Sequence, residues 1–147
     1  MKTGDRPREQ KRNLRNLWRL VDGIEIAMMT TVDQDGSLQS RPMATQAIEA
    51  EEFLWFFAAR DSGKVKAIET NPSVSLVYAE PAKNRYVSAA GRARVTDDPK
   101  QAKKLWSKVA QSWFPGGPED ANLVLIEVDV DDAQWWDGMK SERIDLA

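Results

Sequence analysis

The apolar residues near the start of the chain recur with the period of an α-helix. Four of them are spaced as on one helical face: Leu14, Leu17, Trp18 and Val21. This spacing predicts a helix over residues 7–21, which Gly23 ends. The next stretch, residues 24–32 (IEIAMMTTV), is almost continuously apolar. It therefore predicts a strand that is buried on both faces.

A turn signal follows this first strand. Residues 33–36 (DQDG) contain an Asp-Gly pair between two strand-like runs, which predicts a β-hairpin. The second strand of the hairpin covers residues 37–48 and is interrupted by Pro42. Because proline has no N–H to donate to a strand ladder, Pro42 indicates an edge strand, a bulge or a gap that faces a ligand.

The middle of the chain continues the strand pattern around one short helix. Residues 53–59 (FLWFFAA) predict a third strand. Residues 62–70 predict a helix that Asn71 and Pro72 stop. A second hairpin follows, with a strand at 73–80, a turn at 81–84, a strand at 85–95 and a bend or bulge at Gly91.

The last third of the chain combines a helix with a strand. Asp98 and Pro99 are typical of the N-cap and the first position of a helix. The apolar face of this helix keeps helical spacing through Ala102, Leu105, Trp106, Val109, Ala110 and Trp113. FPGGP breaks it, and residues 123–130 then alternate between apolar and acidic, as in a strand with one solvated face. Residues 133–139 (AQWWDGM) close the pattern with two adjacent tryptophans.

Together these elements indicate an α+β protein built on an antiparallel barrel. Six or seven strands, most of them in hairpins, alternate with three helices. The length of 147 residues fits one domain, residues 1–147, with the helix of residues 1–22 packed on the barrel.

The composition excludes several kinds of catalytic and metal-binding site. The chain contains no cysteine and no histidine, so it has no disulfide, no thiolate nucleophile, no Ser-His-Asp triad and no imidazole metal ligand. Catalysis beyond simple acid–base steps therefore requires a cofactor. DQDGS has the look of a calcium loop, but its glycine comes fourth instead of sixth. We interpret it as the hairpin turn and expect no metal site.

Charge and hydropathy argue against two classes of partner. The formal net charge is −2, with 21 basic and 23 acidic residues, so the strong basic field that nucleic acids require is missing. Basic residues are concentrated in the first 19 positions, which we interpret as a solvated helix face. With no signal-peptide core and no apolar run of about 18 residues, we expect a cytoplasmic protein without a membrane partner.

Residues 62–64 (Ser-Gly-Lys) stand where the third strand gives way to a helix. Ser62 offers a hydroxyl, and the helix start offers unpaired N–H groups and the positive end of its dipole. Gly63 lets a ligand approach the backbone, and Lys64 adds a full charge. These features fit a phosphate. A capped helix with a solvated lysine explains the same residues, so both interpretations stay open.

Two further groups are compatible with a ligand. Residues 41–43 (Arg-Pro-Met) place a charge and a proline inside a strand-like run, as either an exposed edge or a contact for a polar ligand. Aromatic residues precede the phosphate candidate directly: Trp55, Phe56 and Phe57. Such residues form a core or interface, or a wall for a flat ring.

The order of these motifs resembles the pyridoxamine 5'-phosphate oxidase-like split barrels, and specifically their general stress protein 26 branch. The resemblance covers residues 24–137. The segments that carry it are Arg-Pro-Met, LWFF, the Ser-x-Lys helix start, YVSAAGRARV and WFPGGPEDANLVLIEV. WFPGGP, followed by a strand and a Trp-Asp pair, is the most specific of them, and Ser-x-Lys is the least specific.

The resemblance implies a six-stranded antiparallel split β-barrel with peripheral helices, a homodimer, and FMN in a groove between the subunits. Arg41, Pro42 and Met43 would run beside the flavin ring and ribityl chain. Ser62 and Lys64 would hold the phosphate. The aromatic side chains implied for the groove are Trp55, Phe56 and Phe57, with Trp113 and Trp136 reaching it from the partner subunit.

The chain departs from the family pattern at two points. The phosphate segment of the family commonly reads Ser-Arg-Lys, whereas Gly63 removes one charge here and leaves room for a larger flavin such as FAD. The substrate-gripping histidine of true pyridoxamine phosphate oxidases is missing, so we do not expect that activity. A low-specificity oxidoreductase, a non-catalytic flavin carrier, sensor or redox buffer, and a deazaflavin-binding barrel stay open. We identify no catalytic acid or base.

Overall fold

The computed structural model describes residues 7–46 and 52–146. These residues contain seven strands and four α-helices. They follow in the order α1 (Arg8–Val21), β1 (Ile26–Val32), β2 (Leu38–Ala44), β3 (Leu54–Ala59), α2 (Gly63–Thr70), β4 (Ser73–Glu80), β5 (Arg85–Thr96), α3 (Pro99–Leu105), α4 (Lys108–Trp113), β6 (Leu123–Asp137) and β7 (Lys140–Asp145). Short 3₁₀ turns occupy Pro81–Lys83 and Gly117–Glu119.

The strands form one curled antiparallel sheet. Six of them follow the order β2-β1-β4-β5-β6-β3, and β7 pairs with the second half of β6. The helices lie on this sheet, α1 against β7 and α2 against β1 and β5. The predicted α+β class and the six-stranded antiparallel split barrel are therefore confirmed.

The two end strands, β2 and β3, curl towards each other without forming a ladder in the described residues. The backbone N–H of Gln46, just past β2, donates to the carbonyl of Trp55 at the start of β3 (2.9 Å). From there β3 runs to Ala59, and α2 begins at Gly63. We call the gap between the two strands the β2–β3 seam. The start of α2 lies at the end of the seam away from Gln46.

α1 buries the face that its spacing predicts. The buried residues are Leu14, Leu17, Trp18 and Val21, and all belong to the main core. The N–H of Asp22 closes the last turn on the carbonyl of Trp18 (2.8 Å). Gly23 then takes a φ of +86°, which glycine adopts without strain. The predicted helix and its end are confirmed, while residues 1–6 lie outside the described residues.

β1 contradicts the prediction of a strand buried on both faces. Its residues alternate between the core and the surface. Ile26 is 46% exposed and Met28 is 42% exposed, because no element within residues 7–46 and 52–146 covers this outer face. Met28 lies between Pro42 of β2 and Val77 of β4 in the strand register. The continuous apolar run therefore reflects one core face and one exposed apolar face.

The single helix predicted after Asp98 is in fact two. Asp98 caps α3 as expected, accepting a backbone N–H of the first turn (3.1 Å). Trp106 then leaves the helical conformation with a ψ of 144°. The hydroxyl of Ser107 caps α4 by accepting a backbone N–H (3.2 Å). Because the break rotates α4, Val109 and Trp113 are 55% and 63% exposed instead of lying on a buried face.

The last predicted strand is longer than expected and belongs to a hairpin. The alternation over residues 123–130 is confirmed, but β6 continues to Asp137 and turns into β7, which the sequence pattern does not predict. Asp137 pairs with Lys140, and Gly138 supplies the positive φ of the turn, +67°. β7 (KSERID) is almost entirely polar, so it lacks the apolar alternation by which a strand is recognised.

Gly91 marks a bulge, as predicted. The register between β5 and β6 shifts between Ala90 and Gly91. A Cβ at residue 91 would overlap the main-chain carbonyl of Asp129, so only glycine fits this close approach.

Tyr78 is the largest polar side chain in the core. Its ring has no exposed surface, and its hydroxyl shares a 2.7 Å hydrogen bond with Thr45 Oγ1 at the end of β2. Burial raises the pKa of Tyr78 to about 12, although the bond to Thr45 acts in the opposite direction. The phenol therefore ties β4 to the strand that borders the seam.

We expect Tyr78→Phe to flatten the alkaline loss of stability. The folded protein holds the Tyr78 proton up to a pKa of about 12, whereas an unfolded tyrosine loses it at 10.0. The resulting stabilisation is complete below pH 10 and disappears as the pH rises towards 12, a change on the order of 2–3 kcal/mol. Urea unfolding of both proteins between pH 8 and 12 measures it, because the other titrating groups are common to both. Parallel stability curves would contradict the assignment.

Candidate functional site

Arg41 lies on the edge strand β2 with its side chain on the core side of the sheet. It is opposite Met29 in the β1–β2 register. Its Nη1 donates to Thr31 Oγ1 (2.8 Å) and to the Met29 carbonyl (3.4 Å). Thr31 is fully buried, so these contacts hold the guanidinium half-buried at the seam. Sequence reasoning missed Thr31, because a single threonine inside a strand carries no functional signal.

Ser62 occupies the N-cap position of α2 but does not cap it. Its backbone is extended, and its side chain makes no cap hydrogen bond. Its Oγ is buried and has no hydrogen-bond partner in the described part of the chain. The first N–H groups of α2 have no acceptor within the helix, and they form the positive end of its dipole. A buried hydroxyl and free backbone donors therefore lie together at the start of α2.

Lys64 lies close enough to Arg41 for the two charges to repel. Burial lowers the pKa of Lys64, and the charge of Arg41 lowers it further. Burial also lowers the pKa of Arg41, while Asp33 acts against that effect. Lys64 forms no ion pair within residues 7–46 and 52–146. Two half-buried cations at a helix start form a site that favours an anion.

The neighbours of this pair leave the approach to it open. A Cβ built on Gly63 meets no atom within 4 Å, so the space beside the first turn of α2 is free. Arg60, the cation that precedes α2, already has partners outside the site. It pairs with Asp97 (2.7 Å) and donates through Nε to the Ala121 carbonyl (3.0 Å). The charge of the site therefore comes from Arg41 and Lys64.

The residues of Arg-Pro-Met lie on two faces of the sheet, Arg41 and Met43 on the core side and Pro42 on the outer side. Met43 is buried in the main core opposite Ala27. Pro42 is exposed on the outer face of the sheet, opposite Met28. Of the three side chains, only that of Arg41 lies near Lys64 at the seam. A ligand in the seam would meet Pro42 and Met43 through their main chain.

The aromatic residues of β3 divide between two clusters. Phe56 is fully buried in the main core. Trp55 and Phe57 point to the other face, where α3 and α4 cover them. Phe57 lies 5.3 Å from Trp106 between ring centroids, and Trp55 makes an edge contact with Phe53 at 6.3 Å. In this chain these rings anchor the α3–α4 pair, and their contact with a ligand stays a prediction.

The later tryptophans lie outside the seam. Trp113 is the last residue of α4 and is 63% exposed. Trp136 is 38% exposed on β6, which β1, β4 and β5 separate from β2. The strand order therefore places neither tryptophan beside Arg41 and Lys64 of the same chain. Their predicted role from a partner subunit stays a prediction.

The described residues contain neither a metal-ligand cluster nor a membrane-spanning helix. No group of three or more His, Cys, Asp or Glu side chains there is arranged to hold a metal ion. Across residues 7–46 and 52–146, every helix is too short or too polar to cross a membrane.

Comparison with known proteins identifies the family. The profile of the family described as Pyridoxamine 5'-phosphate oxidase like matches residues 12–146. General stress protein 26 of Bacillus subtilis is 31% identical over 77 residues, which cover 50% of this chain and 54% of that protein. The chain thus spans about half the length of this curated relative.

Solved structures share the fold over most of the chain. The general stress FMN/FAD binding protein of Xanthomonas citri is 25% identical with a TM-score of 0.73, covering 90% of this chain and 93% of that one. General stress protein 26 of Bacillus anthracis is 24% identical with a TM-score of 0.74, covering 89% and 98%. This chain belongs to the pyridoxamine 5'-phosphate oxidase-like family, in which it is similar to the general stress protein 26 members.

Proposed function

We propose that this protein binds a flavin, with FMN as the main ligand, and that the phosphate lies between Arg41 and the start of α2. The observation that carries the proposal is the half-buried pair of Arg41 and Lys64, in which burial destabilises both charges and Arg41 further destabilises the charge of Lys64. Two like charges held together in partial burial are costly unless an anion joins them. A phosphate would neutralise both.

The other groups at the site fit a phosphate ester. The buried hydroxyl of Ser62 has no partner among the described residues, and it would donate to a phosphate oxygen. The free N–H groups of the first turn of α2 would supply further donors. The open space at Gly63 would admit the ester. These residues form a complete set of donors around one anion.

The seam offers a place for the flavin ring. β2 and β3 are end strands, so their outward N–H and C=O groups are not paired in a ladder. The polar edge of an isoalloxazine ring needs such groups. Similarity to the Xanthomonas citri protein described as FMN/FAD binding supports a flavin. Bound there, a flavin supplies electron or hydride transfer, while the protein holds and orients it.

We further infer a low-specificity oxidoreductase that draws on this flavin. The residues at the phosphate end of the site are cations and hydroxyls, which bind and orient but do not transfer protons at neutral pH. Because these residues bind a ligand and include no identified catalytic acid or base, a flavin carrier or redox buffer is the second candidate. Stopped-flow reduction by NADH or NADPH, followed by reoxidation with a quinone, separates the two. Reduction no faster than that of free FMN favours the carrier.

Lys64→Ala should weaken FMN binding by about 10- to 100-fold, the range for a charge-assisted hydrogen bond. Affinity for riboflavin, which lacks the phosphate, should change little. Titration of the apo-protein by flavin fluorescence measures both. Lys66→Ala is the matched control, because Lys66 is an exposed lysine on the same helix. An equal loss for FMN and riboflavin would contradict the phosphate site, and failure of the wild type to saturate with any flavin would overturn the proposal.

Gly63→Arg should strengthen FMN binding about tenfold, because it restores the charge of the Ser-Arg-Lys pattern at a position with free space. It should also lower the affinity for FAD relative to FMN, since the new side chain occupies the space that an adenylate would need. Calorimetric titration with both flavins measures the ratio. Gly63→Ala is the control for the added Cβ and helix propensity. Equal behaviour of the two variants would show that charge at this position is irrelevant.

The proposal includes a homodimer with the flavin in a groove shared by two subunits. The outer face of β1, β2 and β4 carries apolar side chains that nothing in the described residues covers: Ile26, Met28, Leu38 and Val77. Monomers seldom expose apolar residues side by side in this way. A second copy on this face would bury them.

Met28→Glu should therefore convert the dimer to a monomer and weaken FMN binding at the same time, because an unpaired charge would be buried at the interface. Light scattering after gel filtration and flavin titration on the same samples measure the two effects. Met139→Glu is the matched control, since Met139 is fully exposed at the tip of the β6–β7 turn and not on this face. A dimer that survives Met28→Glu would contradict this interface.

A further inference from the structure

A second cleft lies away from the seam, between α1 and the β6–β7 hairpin. Its volume is about 560 Å³, and its lining includes neither Arg41, Ser62 nor Lys64. Small-molecule sites are commonly about 300–1,000 Å³. Asn13 of α1 closes one side by donating through Nδ2 to the Asp145 carbonyl of β7 (3.3 Å). The proposed flavin site makes no use of this cleft.

The wall of the cleft is partly apolar. Trp135 of β6 and Leu20 of α1 line it, and both are partly buried against the main core. An indole beside a leucine forms a surface on which an apolar or aromatic side chain packs.

Arg85 gives the cleft a donor without an acceptor. Its Nη2 pairs with Asp137 (3.3 Å), but its Nε is buried and has no partner in the described residues. A buried N–H of a charged group is stabilised by an acceptor, and a ligand carboxylate would be a strong one. Arg19 lines the same cleft and is bonded only weakly, through Nη1 to Asn16 (3.3 Å).

The charges around the cleft have both signs. The charged residues that line it are Arg19, Arg85, Arg143, Glu9, Glu142 and Asp145. Arg143 is already held by both oxygens of Asp132 (3.0 and 2.7 Å). Glu9 and Glu142 form no ion pair within residues 7–46 and 52–146. The groups left for a ligand are the unpartnered Nε of Arg85, the weakly bonded guanidinium of Arg19, and the carboxylates of Glu9 and Glu142.

A simple anion would be repelled by the two carboxylates, and a simple cation by the two guanidinium groups. A molecule that carries both charges and an apolar body satisfies all of these groups. We propose that this cleft binds a small zwitterion of the α-amino acid class with an apolar or aromatic side chain. Its carboxylate lies on Arg85 and Arg19, its ammonium on Glu142 and Glu9, and its side chain on Trp135.

Three probes with one carbon skeleton test the charge requirement. L-phenylalanine carries both charges, 3-phenylpropionate lacks the ammonium, and phenethylamine lacks the carboxylate. Calorimetry or ligand-observed NMR with the full-length protein should give saturable binding of L-phenylalanine, with each of the other two at least about tenfold weaker. Equal affinity of 3-phenylpropionate, or no saturable binding of L-phenylalanine at millimolar concentration, overturns the proposal.

Variants then test the position. Arg85→Lys keeps the charge but removes the Nε donor, and Glu142→Gln removes an exposed carboxylate whose loss leaves the fold intact. Each should weaken L-phenylalanine binding at least about tenfold, with an unchanged melting temperature for Glu142→Gln. Glu119→Gln is the matched control, because Glu119 lines a different cavity that shares no residue with this cleft. Wild-type affinity in Glu142→Gln, or an equal loss in Glu119→Gln, overturns the assignment.

Discussion

The close approach of Gly91 to the main chain of Asp129 is the tightest backbone constraint in the sheet, because no side chain fits between β5 and β6 there. Without a side chain at residue 91, β5 and β6 shift register and bend there. A bulge of this kind bends its strand and increases the local twist, which favours a sheet whose end strands curl towards one side. A fully closed barrel would pair their edges, and a flat sheet would separate Arg41 from Lys64. The pair of Arg41 and Lys64, and with it the proposed anion site, therefore depends on a barrel that closes only in part.

Much of the fold could be predicted from the sequence because local chemistry decides it. The face of α1 and the N-cap at Asp98 each follow from residues close together in the chain, and a glycine inside a strand is itself the local signal of a bulge. The errors arose where tertiary contacts decide. Apolar residues on both faces of β1 do not reveal whether anything covers the second face. The break at Trp106 occurs where its ring packs on Phe57, which is far away in sequence, and β7 is paired despite its polar composition.

Part of the candidate site could be predicted because its motif is local in the sequence. Ser62 and Lys64 are recognisable because a short polar motif directly follows a strand. Their proximity to Arg41 follows from the topology, since β2 and the start of α2 meet only after the sheet curls. The aromatic side chains of β3 are where the structure differs most from the sequence prediction. Their sequence position beside the motif suggests a ligand wall, but strand alternation directs Trp55 and Phe57 beneath α3 and α4.

The repulsion between Arg41 and Lys64 has a consequence for stability that goes beyond binding. Any anion that lies between the two cations stabilises the folded state by mass action, so the fraction of unfolded chains falls as that anion becomes more abundant. Proteases act mainly on unfolded chains, and small changes in that fraction alter cellular abundance several-fold. If the proposed phosphorylated ligand binds at this pair, the protein would accumulate when that ligand is plentiful and be degraded when it is scarce, without any dedicated sensor.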